Sequence, residues 1–255
     1  MDETGKKSLT RDTFESLIVT VILAIFGTTF VLQAFKIPTG SMEDTLLIGD
    51  HLLVNKFIFA PQRGVLARLL PYRDLRRGDV VVFKFTRTDT QQEPGEHFVK
   101  RVIGVPGDRI RVFHRQVFVN GVLQYEPFVR HDPDVTDELR PEDDFPRPDG
   151  EDLYGSSPSG DAEMDSTVKN GELIVPPEKY FMMGDNREQS WDSRFWGFVP
   201  RSDVIGRPVL IYWSFETPRD EYTHNSLGDR ISQVFDLIIH FATKTRWRRT
   251  LNFVR

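Results

Sequence analysis

Hydrophobic residues gather first between Leu17 and Phe35. The stretch LIVTVILAIFGTTFVLQAF runs 19 residues without a charge. As a helix rising 1.5 Å per residue it would be about 28 Å long, close to the hydrocarbon thickness of a bilayer. Thr20, Thr28, Thr29 and Gln33 dilute the run. A buried core helix and a cleaved signal peptide are the alternatives. The run is long for either, and no small-x-small cleavage site follows it. The expectation is an uncleaved transmembrane anchor over residues 17–35. Lys6, Lys7 and Arg11 precede it and Lys36 alone follows closely. The positive-inside rule then puts residues 1–16 in the cytoplasm and the rest beyond the inner membrane.

After the anchor the period changes to that of strands. HLLVNKF, DVVVFKF, HFVKRVIGV and RIRVFHRQVFVNGVLQY are short, rich in Val, Ile and Phe, and broken by Gly and Pro. Asn120-Gly121 between QVFV and VLQ signals a two-residue hairpin. GELIVPPEKYFMMG and VIGRPVLIYWSF add further strands, and no long amphipathic helix stands out between residues 50 and 215. The fold class is mainly β: a transmembrane helix, then an antiparallel, barrel-like domain over 36–130 and 169–217. In the tail, Ile231, Val234, Phe235, Ile238, Ile239 and Phe241 approximate helical spacing, with Lys244, Arg246, Trp247, Arg248 and Arg249 following. Residues 218–255 thus read as a packed terminal helix and strand. A surface for anionic lipid headgroups is a compatible second reading.

Charge changes this picture in one place. The chain of 255 residues carries a net −5, yet residues 131–168 hold thirteen Asp or Glu and two Arg, a net −11, leaving +6 elsewhere. That segment is also rich in Pro, Gly and Ser, and cannot bury enough apolar surface to offset its ordering entropy. It reads as a long exposed loop, partly disordered. The chain has no cysteine, which removes disulfides, thiolate metal sites and a Cys nucleophile. Its six His show no metal spacing, and neither phosphate-binding glycine motif is present. Nucleotide binding thus has no motif support, and no cofactor, metal or nucleic-acid partner is expected.

Three stretches carry candidate chemistry. IPTGSMEDTL, just past the apolar run, offers Thr39, Ser41 and Thr45, either as a plain connector or with Ser41 as a nucleophile. A nucleophilic serine needs a base. His51 and His97 lack a recognisable carboxylate partner. In HFVKRV, Lys100 shares a strand face with Phe98 and Val102, while Arg101 points away with Val99. Desolvation there would favour the neutral amine, able to take a proton from a hydroxyl. The plain alternative is a lysine snorkelling from a strand edge. MGDNREQSWDSRFWGFVP packs polar groups among two tryptophans, and Asp192 with Arg194 could fix such a loop. The RGD tripeptide in RRGDV reads as a turn into a strand.

Taken in order, IPTGSM, RRGDVVVF, KRVIGVPGD and GDNREQSWDSRFWGFVP resemble the boxes of the bacterial type I signal peptidases. The resemblance implies a membrane-anchored serine endopeptidase that removes signal peptides from secretory precursors, cutting after small residues at −1 and −3. It implies Ser41 as nucleophile, Lys100 as general base, Thr39 in the oxyanion hole and Ser190 orienting Lys100. It implies Asp192 and Arg194 as supports, and Phe35, Ile37, Met42, Leu46 and Val99 around the substrate. Secretory precursors and membrane lipid are the expected partners. The chain departs from the pattern at Asp44, where proline is common, and in its acidic insertion. The rival readings are a related Ser/Lys peptidase, such as a self-cleaving repressor or a pilus-processing enzyme, a non-catalytic tethered β domain, and an adhesion module.

Overall fold

The computed structural model describes residues 4–27, 31–59, 72–131, 144–147, 156–218 and 227–254. Helix α1 (Thr4–Phe26) opens the chain, with large apolar side chains such as Leu17, Ile22 and Leu23 exposed. The expected helix over 17–35 is corrected at its C-terminal end. Residues Leu32–Lys36 form strand β1, whose antiparallel pairing with β2 (Asp50–Asn55) brings Leu32 opposite Asn55 and Lys36 opposite His51. An uncharged run does not distinguish helix from strand; here the backbone groups of 32–36 find partners in β2. Among the described residues no helix is long and apolar enough to cross a membrane.

The rest is antiparallel β, as the alternating pattern implies. The strands are β3 (Val80–Lys84), β4 (His97–Gly104), β5 (Arg109–Phe113), β6 (Gln116–Val119) and β7 (Val122–Leu123). Then come β8 (Val168–Lys169), β9 (Glu172–Ile174), β10 (Lys179–Met183), β11 (Val199–Pro200), β12 (Val204–Ser214) and β13 (Asn252–Phe253). One sheet runs β1-β2-β12-β3-β4-β10-β11, with β13 on β12; the other runs β7-β6-β5-β9-β8. Asn120 and Gly121 join β6 to β7 with φ of 55° and 77°, the left-handed pair that a tight primed turn requires. Arg77-Gly78-Asp79 is a turn into β3, and its buried Asp79 is held by Arg73 at 2.6 Å.

The core has three parts. Met42, Leu46, Leu52, Val54, Val82 and Ile211 pack beneath the Ser41 loop. Phe83, Phe85, Val102, Met182 and Trp196 fill the face behind β4, with Phe98 and Trp191 against them. Ile110, Val112, Leu173, Phe181 and Phe198 join the two sheets.

The acidic segment is folded in part, which corrects the exposed-loop reading for its described stretches. Phe145 is buried and bridges Val112, helix α2 spans Pro158–Asp165, and Val168 already belongs to β8. Ser157 caps α2 by accepting from the Gly160 N–H, with proline at the first turn. Residues 132–143 and 148–155 lie outside the described residues. The tail forms helix α4 (Leu227–Lys244) and β13, and the strand seats Val254 in the core.

Candidate active site

Ser41 is held in a loop that leaves β1 and returns as β2. The loop is closed at its base: Ile37 N–H donates to Asp50 O and Gly49 N–H to Ile37 O, each at 2.9 Å. Within it Leu46 N–H donates to Met42 O at 2.8 Å, and both side chains turn into the core. Leu46, expected around the substrate, is fully buried in the core, whereas Phe35, Ile37, Met42 and Val99 line the pocket. The pocket has a volume of about 600 Å³, and Thr39, Ser41, Val82, His97, Phe98 and Lys100 also face it.

Lys100 comes from β4, opposite Val81 of β3, and is only 4% exposed. Its Nζ is hydrogen-bonded to Ser41 Oγ at 2.6 Å. Burial lowers the Lys100 amine from its ordinary 10.5 to about 8. Asp192 and Asp185 oppose that shift, while Arg194 adds to it. At that value about a tenth of the amine is neutral at pH 7, several hundred times the fraction of an ordinary lysine.

Asp192 caps the short helix α3 (Ser193–Trp196) and is fully buried. Its Oδ1 accepts from Arg194 Nε at 2.9 Å, and its Oδ2 from Gly184 N–H at 3.1 Å. Burial alone would raise the carboxyl, but the charge and hydrogen bonds of Arg194 outweigh it and hold it below the usual range, with help from Lys100. Arg194 continues to Arg187 O at 2.6 Å, tying the loop to itself.

Ser190 departs from its expected role. Its hydroxyl is buried and has no hydrogen-bond partner, so no bond joins it to Lys100. It nonetheless stands beside the site, because Gly184 is wedged between Ser190 and the Ser41 carbonyl, where a Cβ would collide with both. Neither His51 nor His97 is hydrogen-bonded to Ser41. His51 packs on Trp213 at 4.7 Å and His97 on Phe35 at 5.2 Å.

The alternation rule sends Arg101 away from Lys100 but does not name its partner. That partner is Asp185, in a buried two-pronged pair at 2.8 and 2.6 Å. Thr45, which no motif explains, donates to Asp185 Oδ2 at 2.5 Å. Arg101 also donates to Gly78 O at 2.7 Å and lies 3.8 Å above the Phe128 ring. Through Thr45 this network fixes the far end of the Ser41 loop. Asn186 fixes the near end, donating from its backbone to Ser41 O and from its side chain to Gly40 O, each at 3.1 Å. Among the described residues no group of three or more His, Asp or Glu is placed to hold a metal ion.

A buried amine on a serine hydroxyl, beside this polar loop, is an arrangement that known families can be compared with. Residues 10–213 match the family model described as signal peptidase, peptidase S26. The chain belongs to that family. Signal peptidase I of Pseudomonas aeruginosa is 31% identical over 239 residues, covering 86% of this chain and 78% of that protein. A probable signal peptidase I-2 of Synechocystis is 33% identical over 199 residues, covering 78% and 71%. Signal peptidase I of Aquifex aeolicus is 32% identical over 231 residues, covering 79% and 84%. The protein is accordingly a hydrolase, a serine endopeptidase that processes precursors bearing signal peptides.

Proposed function

We propose that Ser41 and Lys100 form the catalytic dyad of this peptidase. The observation that carries the reading is the 2.6 Å contact between Ser41 Oγ and a Lys100 amine that burial makes partly neutral. Neutral Lys100 takes the Ser41 proton as Oγ attacks the scissile carbonyl. The Ser41 N–H and the Thr39 hydroxyl stabilise the tetrahedral oxyanion; one such donor is worth about 3 kcal/mol. Lys100 then gives its proton to the leaving amine. Water, deprotonated by the same amine, releases the acyl group.

The substrate lies extended between β1 and β4. Support comes from the sheet order, in which β1 is an end strand, and from β10, which pairs β4 only at Arg101–Gly104. The His97–Val99 edge of β4 is therefore free for a peptide to add to. Phe35, Ile37, Met42 and Val99 narrow the pocket and favour small side chains at −1 and −3. The exposed apolar turns of α1 tether the domain to the lipid, N-terminus cytoplasmic and β domain outside, which restricts the cut to bonds near the bilayer surface.

Wild type, Ser41→Ala and Lys100→Ala, in detergent, are incubated with a precursor and the new N-terminus is sequenced. Loss of cutting in both variants is expected, and wild-type cutting by both would sink the dyad. A bulky −1 residue in the precursor should also block cutting.

A further inference from the structure

The peptide unit that carries the Ser41 amide is gripped from one side. Gly40 O accepts from Glu43 N–H at 3.1 Å and from Asn186 Nδ2 at 3.1 Å. Ser41 O accepts from Asn186 N–H at 3.1 Å. One residue thus holds the carbonyls on either side of the Ser41 amide. A trans peptide is planar, so the Gly40 carbonyl and the Ser41 N–H point in opposite directions. Turning Gly40 O toward Asn186 therefore turns the Ser41 N–H away from it. Among the described residues that N–H donates to no protein acceptor, so it is free for a substrate oxygen.

Asn186 is itself tightly placed. It is 1% exposed, it forms a parallel bridge with Arg130, and its neighbour Asp185 is locked by Arg101. Its Oδ1, however, is buried without a hydrogen-bond partner. A buried amide with one end unsatisfied works against stability. Packing alone does not call for an asparagine here; its donor end does.

We infer that Asn186 is a positioning residue whose side-chain amide orients the Gly40–Ser41 peptide so that the Ser41 N–H meets the developing oxyanion. This rests on the reading of Ser41 as nucleophile and its N–H as an oxyanion donor. Asn186 touches no reacting atom.

The test uses the full chain in detergent and a peptide spanning a signal-peptide cleavage site. Asn186→Ala removes the grip, and Asn186→Asp keeps the shape without the donor. In both, kcat should fall about 10- to 100-fold, less than the loss of a whole oxyanion donor, with KM within about twofold of wild type. In Asn186→Ala the acid limb of the pH profile should stay in place, because the surroundings of Lys100 are retained. Affinity for a peptide boronate, which forms a tetrahedral adduct on serine, should fall in step with kcat. A kcat within about threefold of wild type in both variants would overturn the inference. So would a rise in KM matching the loss, or failure of both variants to melt cooperatively, since either marks a merely structural role. Full activity in Ser41→Ala would overturn this inference together with the reading beneath it, whereas an inactive Ser41→Ala beside a fully active Asn186→Ala overturns this inference alone.

Discussion

Replacing Lys100 with methionine should stabilise the protein while abolishing cleavage. The lysine is 4% exposed, and burial lowers its amine from 10.5 to about 8. In the unfolded chain the amine keeps its proton up to about 10.5. Below pH 8 both states are protonated, and the folded state bears the whole penalty, about 3 kcal/mol for that difference. Between pH 8 and 10.5 the folded amine turns neutral first, and stability rises with pH. Above 10.5 neither state is charged and the penalty is gone. Methionine has a similar length and no charge, so it removes this penalty and forfeits one hydrogen bond to Ser41, about 1 kcal/mol. The net expectation at pH 7 is a gain of about 2 kcal/mol. Urea unfolding of both proteins in the same detergent, at pH 7 and at pH 10.5, reads it out. The gain should shrink and reverse sign at the higher pH. A variant no more stable than wild type at pH 7, or a difference independent of pH, would refute the claim that Lys100 is held against its own charge.

Asp192→Asn removes the carboxylate that raises the Lys100 amine and keeps Arg194, whose charge lowers it. The acid limb of kcat/KM should therefore move to lower pH; movement to higher pH contradicts the electrostatics. Leu46→Ala should cost about 2–5 kcal/mol of stability without relaxing the preference at −1, because Leu46 sits in the core behind the pocket; relaxed cutting would return Leu46 to the pocket wall. On α4, Val234, Phe235, Ile238 and Ile239 are all more than half exposed. If that face meets lipid, Ile238→Glu should weaken co-sedimentation of the chain with anionic vesicles while leaving cleavage of a soluble peptide unchanged.

The Ser41–Lys100 contact was legible because its two residues lie in contiguous motifs and because strand alternation already sets Lys100 between Phe98 and Val102. The Asp192–Arg194 pair is two residues apart and needs no tertiary knowledge. The end of α1 was not legible: residues 32–35 continue the uncharged run, and only pairing with β2 makes Leu32–Lys36 a strand. Leu46 shows another limit, since a motif position does not say which way a tight turn directs a side chain. The buried Arg101–Asp185–Thr45 network joins three separated motifs, and no local spacing announces it. In the acidic segment the capping signal Ser157-Pro158 was present, but the charge around it dominated the composition.

The central claim is that a neutral Lys100 activates Ser41. Mass spectrometry of the enzyme quenched during turnover of a slowly deacylated peptide ester tests it most directly. The account predicts an acyl adduct on Ser41 alone, forming faster as the pH rises through about 8 and absent in Lys100→Met. An adduct on another residue, or equal acylation of Ser41 in Lys100→Met, would contradict it.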